Sequence, residues 1–238
     1  MKQSKKIILI RYGWFLLGLA INSFGIALMT KSALGTSQIS SIPYVLSLRF
    51  EHLSFGMTTF LINMIFVAGE IVLLKKDFHP VQFLQIPLTL VFSVIIDVST
   101  AVLWWYAPEH LAVRLIGLLA GCLILAVGLA IELAPNVIVV PGEGIVRAIS
   151  QICGLEFGRV KVRFDVTLVL IALAMSFLFF HGLRGLGLGT IVSALLVGRI
   201  VTFCNRRFSL LARIRALAET DAEESAPAQH DTLHHQPR

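Results

Sequence analysis

Long runs of apolar residues separated by short polar segments dominate the chain. Six runs approach or reach the length of a bilayer crossing: residues 7–29, 57–74, 83–106, 112–133, 164–181 and 187–204. A helix needs about twenty apolar residues to cross a hydrocarbon core of roughly 30 Å. The pattern predicts an all-α fold, a polytopic transmembrane helix bundle with about six spans.

Two shorter segments show a helical alternation of polar and apolar positions. In residues 37–50, serines recur with Tyr44 at steps of three and four, and residues 143–153 carry Glu143 and Arg147 one turn apart behind Pro141-Gly142. The spacing predicts a short amphipathic helix in each. Three arrangements are open at this point: the helices lie flat at the two membrane surfaces, enter as re-entrant half-helices whose N-terminal amides attract an anionic group, or cross and raise the spans to eight.

An internal repeat relates the two halves of the chain at an offset of 102 to 103 positions. Gly18 falls on Gly121, Gly25 on Gly128, and residues 55–56 on residues 157–158. We predict a first transmembrane repeat at 1–110, a second at 111–208, and a disordered cytoplasmic tail at 209–238. Three spans in each half invert the second half relative to the first, whereas eight spans would make the repeats parallel.

The basic residues gather at the ends of the apolar runs. Placing the N-terminus inside leaves only Lys31, Arg49, Arg114 and Arg184 outside, against fourteen basic residues on the cytoplasmic side. This asymmetry favours a multi-pass protein of a bacterial inner membrane with both termini cytoplasmic. The formal net charge of +6 is therefore explained by topology and not by nucleic acid, which we exclude as a partner.

Ionisable residues inside the predicted spans are candidates for function. The repeat makes Asp97 equivalent to Arg199 and Asn63 equivalent to Asp165, with Asn22 as a further polar residue in a span. We predict a structural charge pair between Asp165 and Arg199. The alternative is that Lys161 holds Asp165 from one turn away while Arg199 extends to the cytoplasmic surface.

The candidate solute site combines these polar groups with the short segments. Glu70 and Glu132 lie near the ends of spans and are expected at the membrane interface. The predicted substrate-binding residues are Thr36, Ser37, Tyr44, Asn63, Glu143, Arg147 and Asp165.

Three motifs carry a resemblance to a known family. They are Ala-Leu-Gly-Thr-Ser at 33–37, Pro-Gly-Glu-Gly at 141–144 and Gly-Leu-Gly-Thr at 187–190. Over about residues 8–204 the chain resembles the YczE/YyaS/YitT-like bacterial integral membrane proteins. Leu188 and Gln38 stand where many relatives have Glu and Pro. The resemblance implies a membrane protein and transfers no site residues.

Taken together, the pattern favours a transporter or substrate-binding membrane protein for a small solute. The alternative is a membrane partner that stabilises or positions another protein without transporting anything. No HExxH, GxSxG or acidic metal-binding pattern occurs, so no enzyme, cofactor or metal site is predicted. The cysteines, Cys122, Cys153 and Cys204, lack metal-ligand spacing and are expected as buried thiols. The predicted partners are the lipid bilayer, a small solute, and a second copy or another membrane protein.

Overall fold

The computed structural model describes residues 2–225 of the chain, and side-chain surroundings for residues 6–218. The described residues form an all-α bundle without strands. The helices are α1 (Lys2–Lys31), α2 (Ser41–Arg49), α3 (Phe55–Leu74), α4 (Gln85–Val102), α5 (Leu111–Leu133), α6 (Pro141–Cys153), α7 (Phe157–Phe180), α8 (Leu188–Arg207) and α9 (Ser209–Ser225). Two 3₁₀ turns, Lys75–Asp77 and Pro80–Leu84, join α3 to α4.

Within the described part of the chain, six helices are long and apolar enough to cross a membrane: α1, α3, α4, α5, α7 and α8. Large apolar side chains such as Ile65, Val94 and Ile116 lie exposed on their outer faces, at 62%, 55% and 67%. Such a surface needs lipid around it. The prediction of a six-span, multi-pass bundle is confirmed.

The short helices α2 and α6 have 9 and 13 residues. At 1.5 Å per residue they rise about 14 Å and about 20 Å, which is less than the roughly 30 Å of a hydrocarbon core. Neither can cross, so the eight-span alternative fails on length.

The antiparallel pair α1 and α5 forms the centre of the bundle. Four glycines let the two backbones touch, as small residues do in membrane helix pairs. The contacts are Gly18 with Glu132, Gly25 with Leu125, Gly121 with Met29 and Gly128 with Asn22. At Gly128 a Cβ atom would lie 2.7 Å from the Asn22 Cα. The crossing therefore has no room for a side chain at these glycines.

Two arginines cap this helix pair at opposite ends. Arg11 donates hydrogen bonds to the carbonyls of Pro135 (3.0 Å) and Asn136 (3.1 Å), just beyond α5. Arg114 donates to the carbonyls of residues 32 and 33, just beyond α1. These carbonyls belong to the turns that follow the helices, so each arginine ties the start of its own helix region to the turn at the end of the opposite helix. In the sequence, these two arginines were explained only by the distribution of basic residues across the membrane, and the structure adds this contact between helices.

The remaining helices surround this pair. The helix α4 packs against α1, and α8 packs against α5. The short helices α2 and α6 each pack against both α3 and α7, where Val45, Phe66 and Val146 form an apolar core. The helices α3 and α4 also pack against one another, whereas α7 and α8, both fully described, barely touch.

The segment after residue 208 differs from the predicted disordered tail. Ser209–Ser225 is helical, and Leu211 and Ile214 are 3% and 1% exposed beside Ala134 and Cys204. These apolar residues, three positions apart, give α9 a stripe that packs on the bundle. The rest of the predicted tail, 226–238, lies outside the described residues. The boundaries 1–110 and 111–208 stay predictions.

Candidate functional site

The two short helices begin beside one another inside the bundle. A Cβ atom on Gly142, in the first turn of α6, would lie 3.1 Å from Ile39, just before α2. Thr36 and Ser41 at the start of the first segment are 0% exposed. The segments therefore do not lie flat on opposite surfaces. Each turns back within the bundle, and their N-terminal ends meet.

A cavity of about 390 Å³ lies where these helix starts meet. Its walls come from α1, α3, α4, α5, α7 and α8 together with the two short segments, and most of the wall is apolar, including Phe15, Leu19 and Phe92. The charged and amide side chains that line it are Asn22, Gln38, Asn63, Gln85, Glu132, Glu143, Lys161 and Asp165. This size is at the lower end of small-molecule pockets.

Four of the seven predicted substrate-binding residues line this cavity: Ser37, Asn63, Glu143 and Asp165. Asn63 is 6% exposed, although it lies within an apolar span. The repeat had aligned Asn63 with Asp165, and the fold brings both to the same cavity from α3 and α7.

The other three predicted residues are not part of the cavity wall. The Thr36 amide donates to Thr190 Oγ1 (3.2 Å), so this residue positions the chain before α2. The Tyr44 hydroxyl donates to the Thr30 carbonyl (3.3 Å), which ties α2 to α1. Arg147 is exposed on α6. Their side chains are on other faces of their segments, a rotation that polar spacing alone does not specify.

The predicted pair between Asp165 and Arg199 is replaced by a local one. Lys161 Nζ lies 2.7 Å from Asp165 Oδ1, one turn earlier on α7, and both side chains are about one-fifth exposed. Arg199 is exposed on α8, which barely touches α7. An i,i+4 pair on one helix forms without any approach between helices, and this geometry prevails.

Glu143 lies in the first turn of α6 and faces the same charges. Burial raises the pKa of its carboxyl, while Lys161 and Arg147 lower it and Asp165 raises it further. The partial positive charge at the N-terminal end of α6 is thus already matched by Glu143, an acidic residue of the protein itself.

Glu132, which the sequence places near the end of its span, is buried on the cavity wall. It is 2% exposed, and its carboxylate accepts a hydrogen bond from Asn22 Nδ2 at 2.7 Å. Asn22 is 7% exposed, and its Oδ1 has no hydrogen-bond partner within the described residues. The sequence identified Asn22 as a candidate, but it did not pair Asn22 with Glu132, because the two residues are 110 positions apart.

Glu70 is buried as well, at 1% exposure, in a second cluster of amides. Gln82 Nε2 and Gln85 Nε2 donate to its two carboxylate oxygens at 2.8 Å and 3.2 Å. A Cβ atom on Gly144 would lie 2.6 Å from Glu70 Oε2. Glycine at 144 therefore lets this carboxylate approach the first turn of α6. Sequence reasoning named Lys161 as the alternative partner of Asp165, but it missed Gln85, which does not stand out within its segment.

The other two motifs hold the start of α2 in position. Gly189 N–H donates to the Leu34 carbonyl at 2.8 Å. Gly35 has a φ of +133°, and a Cβ on it would lie 2.6 Å from Thr190 Oγ1. Glycine is required there by both conformation and space. Residues 187–190 therefore lie against the turn at 33–37, while Ser37 and residues 141–143 line the cavity.

The lining can bind a solute by hydrogen bonds and charge. It carries three carboxyl groups and one ammonium group, from Lys161, so its formal charge is negative when all are ionised. Within the described residues no group of three His, Cys, Asp or Glu is arranged to hold a metal ion. The geometry therefore favours polar recognition of a small molecule with apolar parts.

Comparisons with known proteins identify a family. No curated protein and no solved structure matches the chain. One family model matches residues 9–206, which include six of the eight helices around the cavity completely and most of α1 and α8. The chain belongs to the family described as Family of unknown function (DUF6198).

Proposed function

We propose that this membrane protein is a transporter for a small solute, with the central cavity as its binding site. The observation that carries the proposal is the meeting of the α2 and α6 N-terminal ends at a polar cavity inside a six-span bundle. Secondary transporters commonly bind their substrates at such broken helices, between two repeats.

An inverted repeat is part of this proposal, and the α1–α5 contacts support it. A shift of 103 positions turns the contact of Gly18 with Glu132 into that of Gly121 with Met29, and the other two glycine contacts exchange in the same way. The two arginine caps exchange likewise. A two-fold axis that relates antiparallel helices is perpendicular to them. If the helices span the bilayer, this axis lies in its plane.

One departure from the two-fold relation supports transport over binding alone. The gap between α3 and α4 is closed by Asp97, which accepts hydrogen bonds from Ser54 Oγ (2.6 Å) and the Gly56 amide (2.7 Å). The equivalent helices α7 and α8 barely touch, and a Cβ atom on Gly158, the counterpart of Gly56, would meet nothing within 4 Å. If α3 and α4 separated while α7 and α8 came together, the cavity would open toward the opposite side, as alternating access requires.

The orientation and location belong to the same proposal. Basic residues such as Arg159 and Arg163 lie at the start of α7, beside the gap, and the positive-inside rule puts this end in the cytoplasm. We therefore assign both termini to the cytoplasm of a bacterium, and the protein to the inner membrane. The resemblance to the YczE/YyaS/YitT-like proteins is consistent with this location.

Thiol labelling tests whether the cavity forms an aqueous path. The starting protein is a variant without native cysteines, which is necessary because Cys153, at the end of α6, is exposed rather than buried as expected. Ser37→Cys puts a thiol on the cavity wall, and Val94→Cys puts a control thiol on the lipid-facing side of α4. A membrane-impermeant maleimide is added from one side of the membrane at a time.

Rapid modification of Ser37→Cys from one side, with Val94→Cys unmodified, is the expected result. If Ser37→Cys is as unreactive as Val94→Cys from both sides, the cavity is closed to solutes and the transport proposal is wrong. The alternative function, a membrane partner that positions another protein, needs no aqueous path and predicts that second result.

A further inference from the structure

Two buried amide side chains on the cavity wall lack a hydrogen-bond donor. Asn22 donates to Glu132 and Gln85 donates to Glu70, so the N–H groups of both amides face carboxylates. Asn22 Oδ1 and Gln85 Oε1 have no partner within the described residues, and their side chains are 7% and 1% exposed. A buried acceptor without a donor costs free energy that a bound ligand can recover.

Glu132 adds a need for positive charge at the same place. It is 2% exposed, lines the cavity, and forms no ion pair among the described residues. Its hydrogen-bond donor, Asn22, is neutral. A carboxylate in a membrane bundle is stabilised by a cationic partner, and none of the described residues forms an ion pair with Glu132.

An ammonium group satisfies both requirements together. The nitrogen and oxygen of an amide are about 2.2 Å apart, so Asn22 Oδ1 lies within about 5 Å of the carboxylate oxygen that its Nδ2 contacts. One ammonium nitrogen, with three donors, can therefore reach both oxygens. A proton on Glu132 would also give Asn22 Oδ1 a donor, but it would leave no charge for an ammonium group, so a response to the amine distinguishes the two.

The rest of the cavity fits the remainder of such a solute. Phe15, Leu19 and Phe92 provide an apolar wall, and Glu143 already occupies the N-terminal end of α6, where an anionic group would otherwise bind. Resting on the proposed transport function, we infer that the cavity binds small amines with an apolar body, and that Glu132 and Asn22 receive the ammonium group.

The internal repeat supplies matched control substitutions. The counterparts of Asn22 and Glu132 at an offset of 103 are Leu125 and Met29, which occupy the equivalent positions at the glycine crossing. Asn22→Leu and Glu132→Met thus introduce side chains that the other half of the same crossing accommodates. Glu132→Gln keeps the size of the side chain and removes its charge.

The test measures the thermal stability of the purified full chain with three solutes that share one apolar body. They are phenethylammonium, 2-phenylethanol and 3-phenylpropionate, each titrated in choline chloride and in sodium chloride. A ligand that binds only the folded protein raises the Tm, and above its Kd the shift grows with the logarithm of the ligand concentration. Glu109→Gln, in the exposed loop before α5, is the control for a simple loss of charge.

We expect phenethylammonium alone to raise the Tm, and its binding to weaken at least about tenfold in Glu132→Gln, Glu132→Met and Asn22→Leu. Glu109→Gln should bind as the wild type does. An equal shift with the alcohol or the carboxylate, no shift with the amine, or an unchanged shift in Glu132→Gln overturns the inference. A shift produced by sodium alone assigns the site to an inorganic cation and overturns it too. If Ser37→Cys is labelled but no amine binds, the transport proposal still holds and only amines are excluded as its solutes.

Discussion

Replacing Gly128 by alanine should separate the two central helices. Its Cβ atom would lie 2.7 Å from the Asn22 Cα and 2.8 Å from the Ile21 carbonyl carbon. Carbon atoms in contact are about 3.5–4.0 Å apart, so the helices must part by about 1 Å. The obstacle is backbone, which cannot rotate away as a side chain can.

The expected magnitude follows from two opposing effects. Overpacking costs about 1–3 kcal/mol, and we expect the upper end because the obstruction is backbone. Alanine regains up to about 1 kcal/mol of helix propensity, which leaves a net loss of about 2 kcal/mol. For a chain of this size that corresponds to a Tm lower by about 4–8 °C.

Thermal unfolding of the purified protein in detergent measures this loss, and Gly198→Ala provides the control. Gly198 lies within α8 with nothing within 4 Å of a Cβ atom, so alanine there should leave the Tm unchanged or raise it. If Gly128→Ala and Gly198→Ala unfold at the same temperature, the close crossing of α1 and α5 does not determine stability and the reasoning fails.

Three further substitutions test other parts of the bundle. Asp97→Ala removes the contacts that close the gap between α3 and α4. Externally added maleimide should then modify Ser37→Cys faster than it does in the protein with Asp97. An unchanged rate would mean that Asp97 does not close this side of the cavity. Arg114→Gln leaves carbonyls beyond α1 without their donor and should lower the Tm by an amount equivalent to about 1–3 kcal/mol. Burial raises the pKa of the Glu143 carboxyl above its ordinary value of 4.5. The carboxyl therefore stabilises the fold below pH 4.5, and this contribution is lost as pH rises through the raised pKa. The Tm of Glu143→Gln should therefore fall less than that of the wild type between pH 4.5 and 8.

The spans and the glycine crossing show what a sequence pattern can predict. Span number follows from the lengths of the apolar runs, because lipid offers no partner for an open backbone. The repeat aligned Gly18 with Gly121 and Gly25 with Gly128, and these are the residues at which α1 and α5 touch. Pattern and packing agree here because backbone contact tolerates only glycine.

The cavity shows where the pattern stops being sufficient. Asn22 and Glu132 meet only because of the rotation and depth of two helices, which no local period specifies. The Asp165 partner depended on whether α7 and α8 approach, and they do not, so Lys161 on the same helix is the partner. The apolar stripe of α9 was hidden in a polar composition, and only Leu211 and Ile214 reveal it.

The α1–α5 crossing has the geometry of an isologous interface formed within one chain. In a symmetric dimer of two identical halves, every contact must occur twice, so a buried carboxylate near the axis would face a second copy of itself. Joining the halves in one polypeptide removes that constraint. One side of the crossing can carry Asn22 and Glu132 while the other keeps Leu125 and Met29. A single asymmetric acidic group thus becomes compatible with a nearly symmetric crossing of α1 and α5.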